Sequence, residues 1–170
     1  MNLEKEILEA NFRDQAVAIA RIIEVDKNLF AQLMRLYFSK EPRTCQRAAW
    51  IVSHCADHNN DLLIPYIKKM IKNLFEDIGD ATKRNTVRVL QFLEIPKHLW
   101  GETIEICFRY LNGNEAVAIK VFSMTILYNL SREVPEITTE LKIAIEDQLP
   151  FGSAGFKSRG NKILAQLEKS

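Results

Sequence analysis

The chain has few of the residues that break or staple a fold: six glycines, five prolines and three cysteines in 170 residues. So little glycine and proline excludes collagen-like and low-complexity chains, and a 47% hydrophobic content excludes intrinsic disorder. Cys45, Cys55 and Cys107 are odd in number and lack CxxC spacing, so they read as reduced, buried thiols and not as a disulfide framework or a zinc site. No run reaches the roughly 18 apolar residues of a membrane span. Met1–Ala10 is charged and amphipathic, without the apolar stretch of a signal peptide, so the expectation is a cytoplasmic protein with no membrane partner. Excess charge of one sign is lacking too. With 23 Lys+Arg against 22 Asp+Glu there is no global field to gather nucleic acid or anionic lipid, and any charge-driven binding needs a local patch. At this length folding buries roughly two thirds of the unfolded surface, enough for one domain over 1–170 that needs neither disulfide nor metal.

What is abundant is helical periodicity. Apolar residues recur at three- and four-residue spacing in series such as Phe30, Leu33, Met34, Tyr37 and Leu63, Tyr66, Ile67, Met70, Leu74, and no segment sustains the alternation of a strand. The spacing predicts helices over 2–11, 13–25, 27–39, 43–58, 61–76, 81–94, 97–111, 114–131, 135–149 and 154–168. Proline and glycine punctuate them alternately. Pro65, Pro96 and Pro135 lie 31 and 39 residues apart, in or before the second helix of a pair; Gly79, Gly113 and Gly152, 34 and 39 apart, follow second helices, where left-handed residues are expected. A two-helix unit of this size cannot bury its apolar stripe alone, so neighbours must stack. The fold class is therefore all-α, a right-handed α-α superhelix of about four helix pairs plus a terminal helix. The first and last helices each carry a single apolar stripe, as capping elements of a complete domain would.

Segments such as Arg47-Ala48-Ala49-Trp50-Ile51-Val52, followed by Leu62-Leu63-Ile64-Pro65-Tyr66, resemble the HEAT and armadillo-like repeat families over nearly the whole chain. The resemblance implies an α-solenoid with a curved interaction face. A second resemblance misleads. Phe151-Gly152-Ser153-Ala154-Gly155-Phe156-Lys157-Ser158-Arg159-Gly160-Asn161 looks like the signature loop of the adenylosuccinate lyase and fumarase superfamily, but Gly155-Phe156 replaces its Met-Pro pair and the Asn is displaced by one position. That loop serine works only with segments this chain lacks, so Ser153 implies no general base and the loop reads as a turn into the last helix.

Candidate binding residues fall in three groups. On the helix over 43–58, Arg47, Trp50, His54, Asp57 and His58 share one face. Two histidines four apart can share a metal, yet Cys55 points away and Asp61 is the nearest further ligand, so the set falls short of a zinc site and no metal or cofactor is expected. Basic residues lie early in three helices, with Arg43 and Arg47, then Lys83, Arg84 and Arg88, then Lys157, Arg159 and Lys162. There they oppose the helix dipole by about 0.3–1 kcal/mol each. Along a stacked edge they could hold phosphates, although Asn114-Glu115 interrupts the row. Second helices contribute Tyr66, Lys69, Lys72, Arg109 and Lys142 to the curved face.

No complete catalytic motif is present, and the leading expectation is a non-enzymatic interaction module that holds another protein or peptide on its curved face. The alternative is DNA or RNA backbone binding along the basic edge, in the manner of the HEAT-like DNA-alkylation-repair glycosylases. Their catalytic aromatic and carboxylate residues find no positions here. Lyase activity ranks last.

Overall fold

In the computed structural model, which describes residues 1–170, the chain is helical throughout, with ten α-helices, four short 3₁₀ segments and no strand. It forms two compact units, Met1–Leu93 and Glu94–Ser170.

In the first unit, α1 (Leu3–Glu9), α2 (Arg13–Ile23), α3 (Lys27–Tyr37), α4 (Pro42–His58), α5 (Ile67–Asn73) and α6 (Asp80–Leu90) surround one core. The 17-residue α4 is its centre and packs against α1, α2, α3 and α6. Its composition explains this. Ala48 and Ala49 let neighbouring backbones approach closely, while Ile51, Val52 and Cys55 fill the space on adjoining sides. Local signals set its start, since the Glu41 carboxylate accepts from the Thr44 N–H at 2.8 Å and Pro42 occupies the first turn. Asp26 caps α3 in the same way, accepting from Asn28 N–H at 2.8 Å and Leu29 N–H at 3.1 Å. First helices α2, α4 and α6 thus lie in a row, with α3 and the Asn60–Asn73 stretch behind them.

The second unit holds α7 (Trp100–Asn112), α8 (Val117–Ser131), α9 (Thr138–Gln148) and α10 (Ala154–Glu168). Lys120 is the only charged residue in α8, because that helix is covered by α7, α9 and α10. Even this lysine is tied down, donating to the Gln148 side-chain carbonyl at 2.8 Å.

Three expectations need correction. The three proline-led second helices, predicted over 61–76, 97–111 and 135–149, each begin as a 3₁₀ turn, at Asn60–Tyr66, Lys97–Leu99 and Pro135–Ile137, and become α-helical only at Ile67, Trp100 and Thr138. Proline is the cause: it lacks an N–H and biases the preceding residue away from α geometry, so a tight turn replaces the first α turn. Two of the first helices are also shorter than their apolar patterns, α6 ending at Leu90 and α8 starting at Val117. The glycines, finally, are not left-handed. No glycine has positive φ, and Gly79, Gly113 and Gly152 are all extended. At Gly113 the need is for space, since a Cβ would meet the Arg109 carbonyl oxygen at 2.8 Å; at Gly152 it would meet the Phe156 ring at 2.8 Å. Around Gly79 nothing lies within 4 Å.

Candidate functional site

The outer face of the first-helix row carries most of the predicted stripe, and the structure ties much of it into the fold. Arg47 donates to the Ala10 carbonyl at 2.7 Å and the Asn11 side chain at 3.3 Å, so it caps the end of α1, while its guanidinium also lies 5.7 Å from the Trp50 ring centre. Trp50 is half-buried against the core of its unit, with its ring 5.9 Å from that of His54. His54 is only 9% exposed. Its Nδ1 stands 3.6 Å from Asp57, its Nε2 is buried without a hydrogen-bond partner, and burial lowers its pKa from 6.5 despite the pull of that carboxylate. Asp57 is held in turn by Arg88 at 2.7 Å, and the other Arg88 nitrogen donates to the Ser53 carbonyl at 3.3 Å. His58 pairs with Glu24 at 3.0 Å. The two histidines therefore serve separate carboxylates and do not converge.

Two shallow clefts remain along the α4–α6 seam. One, of about 160 Å³, is lined by Gln46, Arg47, Trp50, Ala81, Arg84 and Asn85; the other, of about 300 Å³, lies at Ala56, Asp57, Asn60, Arg88, Val89 and Phe92. Arg84 is exposed there and makes no ion pair. In the second unit Arg159 is half-buried and donates to the Thr125 hydroxyl. Arg109 pairs with Glu105 at 2.9 Å. Ser153 caps α10, accepting from the Phe156 N–H at 3.3 Å. The segment that resembles a lyase loop is thus mostly the opening of that helix, and the buried Gly160 within it lets Ile145 and Leu149 pack close.

Another cleft of the first unit involves the second helices. A depression of about 370 Å³ is lined by Lys27, Phe30, Asn59, Asp61, Leu62, Pro65 and Tyr66. The Phe30 and Tyr66 rings meet edge to face at 5.9 Å, which fixes the apolar wall. On α5 Lys69 places its ammonium 4.2 Å from the centre of the Phe38 ring, and Lys68 and Lys72 are exposed without ion pairs. Of the predicted second-helix residues, Tyr66 lines this depression, Lys69 packs over Phe38 and Lys72 is exposed. Sequence reading missed Phe30, Leu62 and Pro65 as cleft walls, because their helical spacing reads simply as core. The usable signal was the proline-broken start of the second helix, which opens a gap where a regular α turn would pack.

No group of His, Cys, Asp or Glu is arranged to hold a metal ion, and no helix is long and apolar enough to cross a membrane. Neither a curated protein nor a solved structure matches the chain. A family model described as a HEAT repeat domain matches residues 3–167, and its span covers the helix pairs and proline-led turns of both units. The chain belongs to the HEAT repeat domain family.

Proposed function

We propose that the protein is a non-enzymatic interaction module that holds a segment of another protein against the second-helix surface of its first unit, through Tyr66, Lys69 and Lys72. HEAT repeat domains in general serve as scaffolds for protein interaction. The observation that carries the finer reading is the aromatic-walled depression of about 370 Å³, with Lys69 and Lys72 exposed on the helix that follows Tyr66. An apolar side chain of the partner fills the depression, and acidic residues next to it meet Lys69 and Lys72. A ring-walled cleft supplies affinity by excluding water, while the exposed lysines set register and encounter rate. The basic-edge alternative is less well supported, because Arg47, Arg88 and Arg159 already spend donors on Ala10, Asp57 and Thr125.

The test is affinity capture with nuclease present at moderate salt, comparing the native chain with Tyr66→Ala and with Lys69→Glu combined with Lys72→Glu. A protein retained by the native chain and lost from both variants is the expected result. Equal retention by all three, or recovery of nucleic acid alone, contradicts the proposal.

A further inference from the structure

A different surface of the first unit carries an independent inference. The core-facing side of α2 is Ala16, Ala20 and Ile23, all fully buried. At about 100° per residue, the side directly opposite is Asp14, Ala18, Arg21 and Ile22, and Val25 follows in the turn after the helix. On a first-helix surface this side is expected to be polar, as it is on α4. Instead Ile22 is 53% exposed, Val25 82%, and Phe12, at the helix start, 71%. Large apolar side chains left in water on the helix and at both of its ends mark a surface lacking a partner.

The charges on the same face say which partner fits. Asp14 and Arg21 lie on the same flank of the stripe, four residues before and three after Ala18, and neither makes an ion pair within the chain. Bring a second α2 against the first in antiparallel orientation, with the two Ala18 residues at the crossing. A two-fold axis in the contact plane keeps each flank on its own side and reverses the order along the helix, so Asp14 of each copy comes level with Arg21 of the other. On the opposite flank Ile22 comes level with Phe12 and Gln15 of the other copy. The small Ala18 lets the backbones approach at the centre. An arbitrary foreign helix has no reason to match this arrangement, whereas a self-complementary stripe matches itself.

We infer that α2 is an isologous contact through which two copies of this chain associate, antiparallel about Ala18, with apolar contacts from Phe12, Ile22 and Val25 and reciprocal Asp14–Arg21 pairs. One 11-residue helix pair is small beside the roughly 800 Å² per partner of a standard interface, so association is concentration-dependent and belongs in the micromolar range or weaker.

Sedimentation equilibrium of the full chain, from low micromolar to several hundred micromolar, tests this. The mass is expected to climb from 19.6 kDa toward twice that value. Ile22→Glu should weaken dimerisation by about tenfold or more, since it places two carboxylates in the apolar contact. Asp14→Arg alone and Arg21→Asp alone should each weaken it about threefold to tenfold at low salt, and the double exchange should restore it. All three positions in the apolar and charged contact tests, Ile22, Asp14 and Arg21, face solvent in the monomer, and unchanged helical circular dichroism confirms that each variant is folded. A native chain that stays monomeric at the highest concentration overturns the inference. So does a dimer indifferent to Ile22→Glu, or a double exchange that fails to restore what the single ones lose.

Discussion

At the scale of single residues, His54 shows what burial does to a group that sequence spacing placed on a polar stripe. Burial lowers its pKa from the ordinary 6.5, with Asp57 pulling the other way and Arg88 adding to the lowering. Below about 6.5 the unfolded chain therefore binds a proton that the folded chain refuses, so stability rises with pH in this window. Acidification from 6.5 down through the lowered value removes it. Urea midpoints at pH 7.5 and 5.5 should show this loss, and His54→Gln should shrink it. Arg88→Ala removes both the Asp57 pair and a charge that disfavours the imidazolium. It should cost about 1 kcal/mol and move the His54 titration upward, as read by NMR. The thiols follow the same logic. Burial pushes Cys55 and Cys107 up to about 12, so neither should react with a maleimide at neutral pH until the chain is unfolded, which intact-mass analysis would show.

At the scale of elements, glycine and proline made the repeat order legible but not the local geometry. The 31- to 39-residue spacing located the helix pairs correctly, because only a stacked helix array needs breakers at that interval. Periodicity could not show that prolines convert each second-helix start into a 3₁₀ turn, since apolar spacing is nearly the same in both forms over one turn. Nor could it show that the glycines answer to space instead of left-handed φ. The distinction is measurable: Gly113→Ala and Gly152→Ala, each bringing a Cβ to 2.8 Å from a neighbour, should destabilise by about 1–3 kcal/mol, whereas Gly79→Ala, with open surroundings, should be neutral or slightly stabilising. Ser153→Ala should cost about 1 kcal/mol of stability, as loss of a helix cap does. The candidate site was legible only in part. Tyr66 was legible as a second-helix residue, but the cleft wall it forms with Phe30 and Leu62 depends on how two helices meet. The apolar stripe of α2 escaped notice because Ile22 and Val25 alternate with truly buried Ala20 and Ile23, and a linear pattern does not say which face is covered.

At the scale of the whole chain, near-balanced charge and family membership point the same way. A net charge of +1, with several arginines consumed by internal contacts, leaves little to hold a phosphate backbone. Duplex DNA should show no saturable anisotropy change at physiological salt, and Arg84→Glu with Arg159→Glu should alter nothing. The central claim concerns the second-helix surface of the first unit, and site-specific photocross-linking tests it most directly. With a benzophenone side chain in place of Tyr66, irradiation in lysate should give one dominant protein adduct, which the same group in place of Arg84 on the opposite row should not give. An adduct formed equally or preferentially from Arg84, or none from Tyr66, would contradict the account.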